Sequence, residues 1–276
     1  SSVSMTLPSH CPWLANIAMS VVNDDRVGKF AMKQFSDTPI TMTRNFAVEY
    51  AKANDFDILL FLDSDNKPDC ELKDDPNAKP FWETSFNFIF DRLVKGLPTV
   101  VAAPYCGGGE DENVFMFWWK NFRNSENTKF SLEQYTRSHA AIMAGIQPIA
   151  AGPTGGTMYS RSAFELMEPP YFKYEWADKT ESSKASTEDV FNLRDISLLG
   201  WKHHKCDTVF GNWDAWASHY KVNEVRKPRI MGINEIGSRF IEAIERGVDS
   251  KDRIVDLDSV LDGKQDYEVD QQVEEE

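Results

Sequence analysis

The chain has 276 residues, 41% hydrophobic, 27% charged and 12% aromatic, and carries a net charge of −14. That size admits one large α/β domain or two small ones, and the composition is that of a folded, water-soluble chain. The acidic balance argues against a broad basic face for nucleic acid, and no apolar stretch reaches the roughly 18 residues a membrane span needs.

In chain order, "VSMTLPSH" (3–10) predicts a first strand ending in a Pro-Ser turn, and residues 12–22 carry a helical apolar pattern. "GKFAMKQF" (28–35) reads as a second strand. Helix-start chemistry then gathers around Asp37, Thr38 and Pro39, with Met42, Phe46 and Tyr50 following on one helical face. "ILLFL" (58–62) is too short for an ordinary helix and reads as a fully buried strand that ends in Asp63, Ser64 and Asp65. A helix over 80–95 and a short strand over 98–105 come next. This alternation predicts a mainly parallel sheet with helices on both faces, whose carboxyl edge binds ligands.

Farther along, "CGGGEDEN" (106–113) is a loop without the Gly-Lys-Ser/Thr ending of a phosphate-cradling P-loop. "VFMFWWKNF" (114–122) reads as core packing, or as an acceptor platform on which Trp118 and Trp119 stack a sugar ring. Gly155 and Gly156 precede a strand or helix start, and 186–202 predicts a helix with Glu188 and Asp189 in its first turn and Gly200 as its C-cap. "HHKC" (203–206) reads as a strand whose neighbours point to opposite faces, which argues against a metal cluster. An amphipathic segment at 235–247 is expected to pack on the outside of the domain. Residues 265–276 hold six acids and no base, so the body is placed at 1–250 and an acidic, disordered tail at 251–276. The four cysteines are widely spaced with no Cys-x-x-Cys pair, which fits free thiols in a reducing, cytoplasmic setting.

Two like charges held as close as Asp63 and Asp65 are costly unless a cation or strong donors offset them. Carboxylate oxygens suit Mg²⁺ or Mn²⁺, and such an ion could clamp a diphosphate. An EF-hand is excluded because Pro68 stands where its loop needs glycine. Arg44, one helix upstream, is placed either to meet a phosphate or nucleoside or to pair with Asp63.

The stretch "RNFAVEYAKANDFDILLFLDSD" resembles the approach to the DxD motif of GT-A fold glycosyltransferases. Thr187-Glu188-Asp189 followed by Gly200-Trp201 is similar to the TED…GW helix of inverting family 2-type enzymes such as cellulose and hyaluronan synthases. "GPTGGTMYSRSAF" resembles the glycine-containing segment those enzymes carry between the two motifs. Order and rough spacing agree over about residues 3–220. The early Asp-Asp that reads uracil has no clear counterpart, Asp37 being the nearest candidate, and the Gln-x-x-Arg-Trp element and membrane helices of processive synthases are absent. The opening "LPSH" resembles poorly characterised bacterial and viral members of the fold, putting Pro8 and Ser9 at the donor.

The resemblance implies a soluble enzyme that adds one sugar, with a UDP- or GDP-sugar as donor and a carbohydrate or other hydroxyl as acceptor. Asp63, Asp65 and, by position, His219 would hold Mn²⁺ or Mg²⁺. Pro8, Ser9, Asp37, Arg44, Asp63, Ser64, Gly155 and Gly156 would line the donor site. Trp118, Trp119 and Trp201 would serve the acceptor. Asp189, supported by Glu188, is the expected base, its charged form favoured by the helix N-terminus. A sugar-phosphate nucleotidyltransferase, a retaining GT-A enzyme and a non-catalytic carbohydrate- or metal-binding module remain the rivals.

Overall fold

The computed structural model describes residues 10–35, 39–63, 65–69, 79–106, 114–120, 129–176, 184–219 and 253–256. The expected strand at 3–10, the helix at 235–247 and the tail at 265–276 lie outside these residues, apart from His10, which opens the first helix.

Helix α1 (His10–Val22) matches its apolar pattern, but residues 28–35 form no strand. Helix α2 (Ile40–Ala53) leads into strand β1 (Ile58–Leu62), the short β2 (Asn66–Pro68), helix α3 (Phe81–Leu93) and strand β3 (Val100–Ala102). A hairpin of β4 (Phe117–Lys120) and β5 (Lys129–Gln134) follows, then α4 (Arg137–Ala141), β6 (Ile146–Pro148), β7 (Gly156–Ser160) and α5 (Arg161–Phe164). The short strands β8 (Glu175–Trp176) and β9 (Lys184–Ser186) lead into α6 (Glu188–His204). The described chain closes with β10 (Val209–Asn212), β11 (Ala217–His219) and β12 (Arg253–Asp256).

The central sheet has the order β1-β7-β3-β10-β6 and is mostly antiparallel, which corrects the expected parallel sheet. Among the described strands only β3 and β10 are parallel neighbours; β7 runs against both β1 and β3. The reason lies in the connection. A parallel crossover needs one long return, commonly a helix. Between β3 and β7 the chain instead builds β4, β5, α4 and β6, and it re-enters from the opposite end. Strand β1 lies at the sheet edge with intermediate burial along its length, not fully buried as its composition suggested.

Both faces of the sheet are covered, and side-chain alternation sorts the core accordingly. Val101, Met158 and Phe210 pack with Phe81, Phe86 and Ile89 of α3 on one face. Val100, Ala102, Tyr159 and Val209 pack on the other, with Val48 of α2, Phe164 of α5 and Leu193 and Ile196 of α6. Burying side chains of this size contributes roughly 1.5–3 kcal/mol each, so the core lies in these two layers.

Helix α6 runs past Gly200 to His204 and is capped by Lys205 in the left-handed region. Gly200 therefore sits inside the helix, where a Cβ would collide with the Thr208 side chain. Its role is close approach to the start of β10. "HHK" is the basic last turn of α6 and its cap, not a strand. Part of the supposed tail is structured: residues 253–256 add to the edge of β5 as the third strand of the β4 hairpin sheet. Ile254 and Val255 give that stretch a strand-forming apolar pair the acidic composition around it obscures.

Candidate active site

Four elements converge beyond the end of β1. Asp63 leaves the strand with its backbone N–H donating to Gly155 O at 2.8 Å, which extends the β1–β7 ladder by one bond. Asp65 follows at the turn into β2, and β2 pairs with β11 so that Asn66 lies opposite His219. The fourth element is α6, whose first turn carries Glu188 and Asp189.

Arg44 joins strand to helix. Its Nη2 donates to Asp63 Oδ2 at 3.2 Å and its Nη1 to Glu188 Oε1 at 2.8 Å, and the residue is buried. This explains a feature of α2 that its composition conceals. The buried stripe is Arg44, Ala47, Val48 and Ala51, whereas Met42 and Phe46 of the expected apolar face are exposed. Turning the guanidinium inward to its carboxylates rotates the helix away from its most apolar side.

The charges act on one another strongly. Burial works against the Arg44 charge, but Asp63, Asp189 and Glu188 together raise its pKa above the usual value. Burial pushes Asp63 above the ordinary carboxylate range, with Asp65 and Asp189 adding to it and Arg44 opposing. Glu188 is raised for the same reason, burial first and then the neighbouring Asp189. Asp189 accepts from the Thr187 hydroxyl and, at 2.9 Å, from the Val190 N–H, so its Oδ1 is fixed in place.

The Asp65–His219 pair bears on a metal. Nδ1 of His219 lies 3.0 Å from the Cys106 carbonyl oxygen, which can only accept, so Nδ1 carries a proton. Nε2 faces Asp65 Oδ2 at 3.3 Å. In the neutral ring that sets a nitrogen lone pair against a carboxylate oxygen. Either a proton on Nε2 or a cation shared by both groups relieves the opposition. No group of three His, Cys, Asp or Glu suited to a metal occurs among the described residues. A divalent ion here would take two protein donors and draw its remaining oxygens from a ligand or water, which hard cations accept. The donor set fits Mn²⁺ or Mg²⁺ on those terms.

Some residues at this site were not foreseen. Tyr105 is buried against His219, with ring centroids 4.9 Å apart, and its phenol is held well above the usual pKa by burial and by Asp63 and Asp189. It stays a hydrogen-bond donor. Asn66 donates to Asp65 Oδ1 at 3.2 Å, while its own buried Oδ1 finds no partner, as is true of Thr154 Oγ1. Gly155 is required here: a Cβ would strike the Asn66 side chain and come within 2.8 Å of Tyr105 Oη. Nothing in the local sequence around Tyr105 or Asn66 marks them; only the folded register does.

The remaining expected residues fall as follows. Gly156 opens β7 against Pro68 and Ala103. Pro8, Ser9, Asp37 and Ser64 lie outside the described residues. Trp118 and Trp119 pack against the core, and Trp119 Nε1 donates to Ser197 Oγ at 3.0 Å, eight residues and about 12 Å along α6 from Asp189. Trp201 is farther still, about 18 Å along the helix. These positions along α6 set Trp119 and Trp201 away from the first-turn carboxylates.

No protein-family profile and no curated protein matches the chain. Among solved structures, the crystal structure of A197 from STIV is similar at 15% identity, over 78% of this chain and 87% of that one, with a TM-score of 0.38. No helix among the described residues is long and apolar enough to cross a membrane.

Proposed function

We propose that this protein is a metal-dependent, inverting glycosyltransferase of GT-A type, moving a sugar from a nucleoside-diphosphate donor to an acceptor hydroxyl. The observation that carries this reading is the convergence of Asp63, Asp65, His219, Arg44, Glu188 and Asp189 at one rim of the sheet, delivered by β1, β11, α2 and α6. Within it, Asp65 and His219 face each other at 3.3 Å, a separation that a shared cation could bridge.

In this reading Asp65 and His219 are the residues that would hold Mn²⁺ or Mg²⁺, and the ion would supply positive charge to a leaving diphosphate. Arg44 fixes Asp63 and Glu188 so that the rim keeps its shape when ligand arrives. Asp189, its Oδ1 anchored, has Oδ2 to take the proton from the acceptor hydroxyl. The acceptor oxygen bonds to the anomeric carbon as the bond from that carbon to the diphosphate breaks, and direct displacement of this kind inverts configuration, by the logic that separates the two glycosidase classes.

The test is a thermal-shift screen of UDP, GDP, CDP and dTDP with and without Mn²⁺, followed by anomeric analysis of the product. A specific nucleotide should raise the melting temperature with concentration, and only with the metal present. Asp65→Asn should abolish the metal-dependent part. Equal shifts in EDTA would remove the metal, and a retained anomeric configuration would reassign the reaction.

A further inference from the structure

We infer that Asn66 is a positioning residue of the cation pair: its amide fixes the Asp65 carboxylate so that Oδ2 faces His219. The inference rests on the metal part of the reading above and not on the sugar transfer. Asn66 is 2% exposed, and its Nδ2 donates to Asp65 Oδ1 at 3.2 Å. An ionised carboxylate only accepts, so the amide must turn its nitrogen to Asp65 and its oxygen away. That oxygen is buried and finds no partner.

A buried acceptor without a donor works against folding, so the amide is not kept for stability. Nor is it needed to solvate Asp65, whose side chain is 44% exposed and within reach of water. Packing adds a second constraint: a Cβ on Gly155 would collide with Asn66 Nδ2, so only glycine admits the amide there.

What the amide supplies is direction. Strands β2 and β11 set Asn66 directly opposite His219, and residues so paired project to one face of the ribbon. Nδ2 takes one oxygen of Asp65, and the other is turned toward His219 Nε2 at 3.3 Å. His219 is held in the same way, its Nδ1 donating to the Cys106 carbonyl at 3.0 Å. Each of the two cation donors thus has one atom tied by a neighbour and another aimed across the gap. Removing groups that orient metal-binding side chains in this manner weakens affinity by about 10–100-fold.

The experiment titrates the full chain with Mn²⁺, alone and with UDP or GDP, and reads the free ion by electron paramagnetic resonance. Each protein is also melted without metal. Asn66→Leu keeps the outline of the side chain and removes both polar atoms of the amide. It should weaken Mn²⁺ binding about ten-fold or more. Its metal-free melting temperature should stay level or rise, because the partnerless oxygen is gone. Asn66→Ala, which adds no atoms that could clash, should weaken Mn²⁺ binding on the same scale. Thr154→Val removes another buried, partnerless oxygen, next in the chain to Gly155, and should bind Mn²⁺ as wild type does.

Wild-type Mn²⁺ affinity in both Asn66 variants, whatever their melting temperatures, overturns the positioning role and leaves the cation pair standing. Equal weakening in Thr154→Val would trace the effect to general packing and overturn it as well. A wild type that binds no Mn²⁺, with or without nucleotide, removes the metal from the proposed function and the role of Asn66 with it.

Discussion

Arg44 is the residue on which the site turns, because it is buried and answers Asp63 and Glu188 at once. Arg44→Met fills similar space but strands both carboxylates, and breaking a buried pair this way costs about 3–5 kcal/mol. The cost should depend on pH in a definite direction. Without the guanidinium the folded-state pKa values of Asp63 and Glu188 rise further above those of the unfolded chain. The folded state then binds more protons, so the variant loses stability as pH rises through the carboxylate range and recovers it in acid. Urea melts of both proteins at pH 5 and pH 7 check this; a stability gap that does not widen at pH 7 would contradict it. Asp189 is tested by activity. Asp189→Asn should leave nucleotide binding near normal and reduce single-turnover transfer by roughly 10²-fold or more, with Glu188→Gln costing less. Near-wild-type transfer by Asp189→Asn would return it to a helix-capping role. These acids were legible in the sequence because first-turn carboxylates and an apolar run ending in Asp are local patterns. Tyr105 and Asn66 were not, since each meets His219, far away in the chain, only once the strands are in register.

At the scale of elements, α6 shows where local patterns stop being informative. Its start was readable from Thr187 and the two acids, but Gly200 looked like a terminus because glycine so often ends helices. The helix continues through it, and the residue is glycine because packing on Thr208 leaves no room for a side chain. Gly200→Ala should therefore destabilise the protein by about 1–3 kcal/mol, the usual scale of overpacking, although alanine favours helices. Thr208→Ala should rescue part of the loss, since it removes the hydroxyl and methyl but leaves Cβ at 2.7 Å from the new atom. Differential scanning calorimetry on the double-mutant cycle measures it, and strictly additive losses would show the two residues do not meet. The strands were legible as apolar runs, but their order was not. Direction in a sheet depends on where the chain re-enters, and nothing within "GTMYS" states that β7 returns from the far end.

Across the whole molecule, one buried charge cluster sets a pH response separate from the site. Arg194 holds Glu175 and Asp195 in the interior, and burial, against the pull of Arg194, raises the Asp195 pKa to about 6. Between its ordinary carboxylate value and about pH 6, folded Asp195 keeps a proton that the unfolded chain releases. Its contribution to stability therefore falls as pH rises over that window and is level above it. The melting temperature of wild type relative to Asp195→Asn should drop between pH 4 and pH 6; a flat difference would show that Asp195 is ionised throughout. Finally, the position of β7 governs how the protein can fold. β1 and β3 run the same way and are separated in the finished sheet by a strand that lies about fifty residues beyond the second of them. At about 5–20 residues per second, a nascent chain carries both strands for several seconds before their shared partner exists. During that interval each offers an unpaired edge to the other, and a direct parallel pairing would have to be undone for β7 to enter. Such non-local closure slows folding, and it makes the period before residue 160 emerges the stage at which this chain most needs shielding from its neighbours.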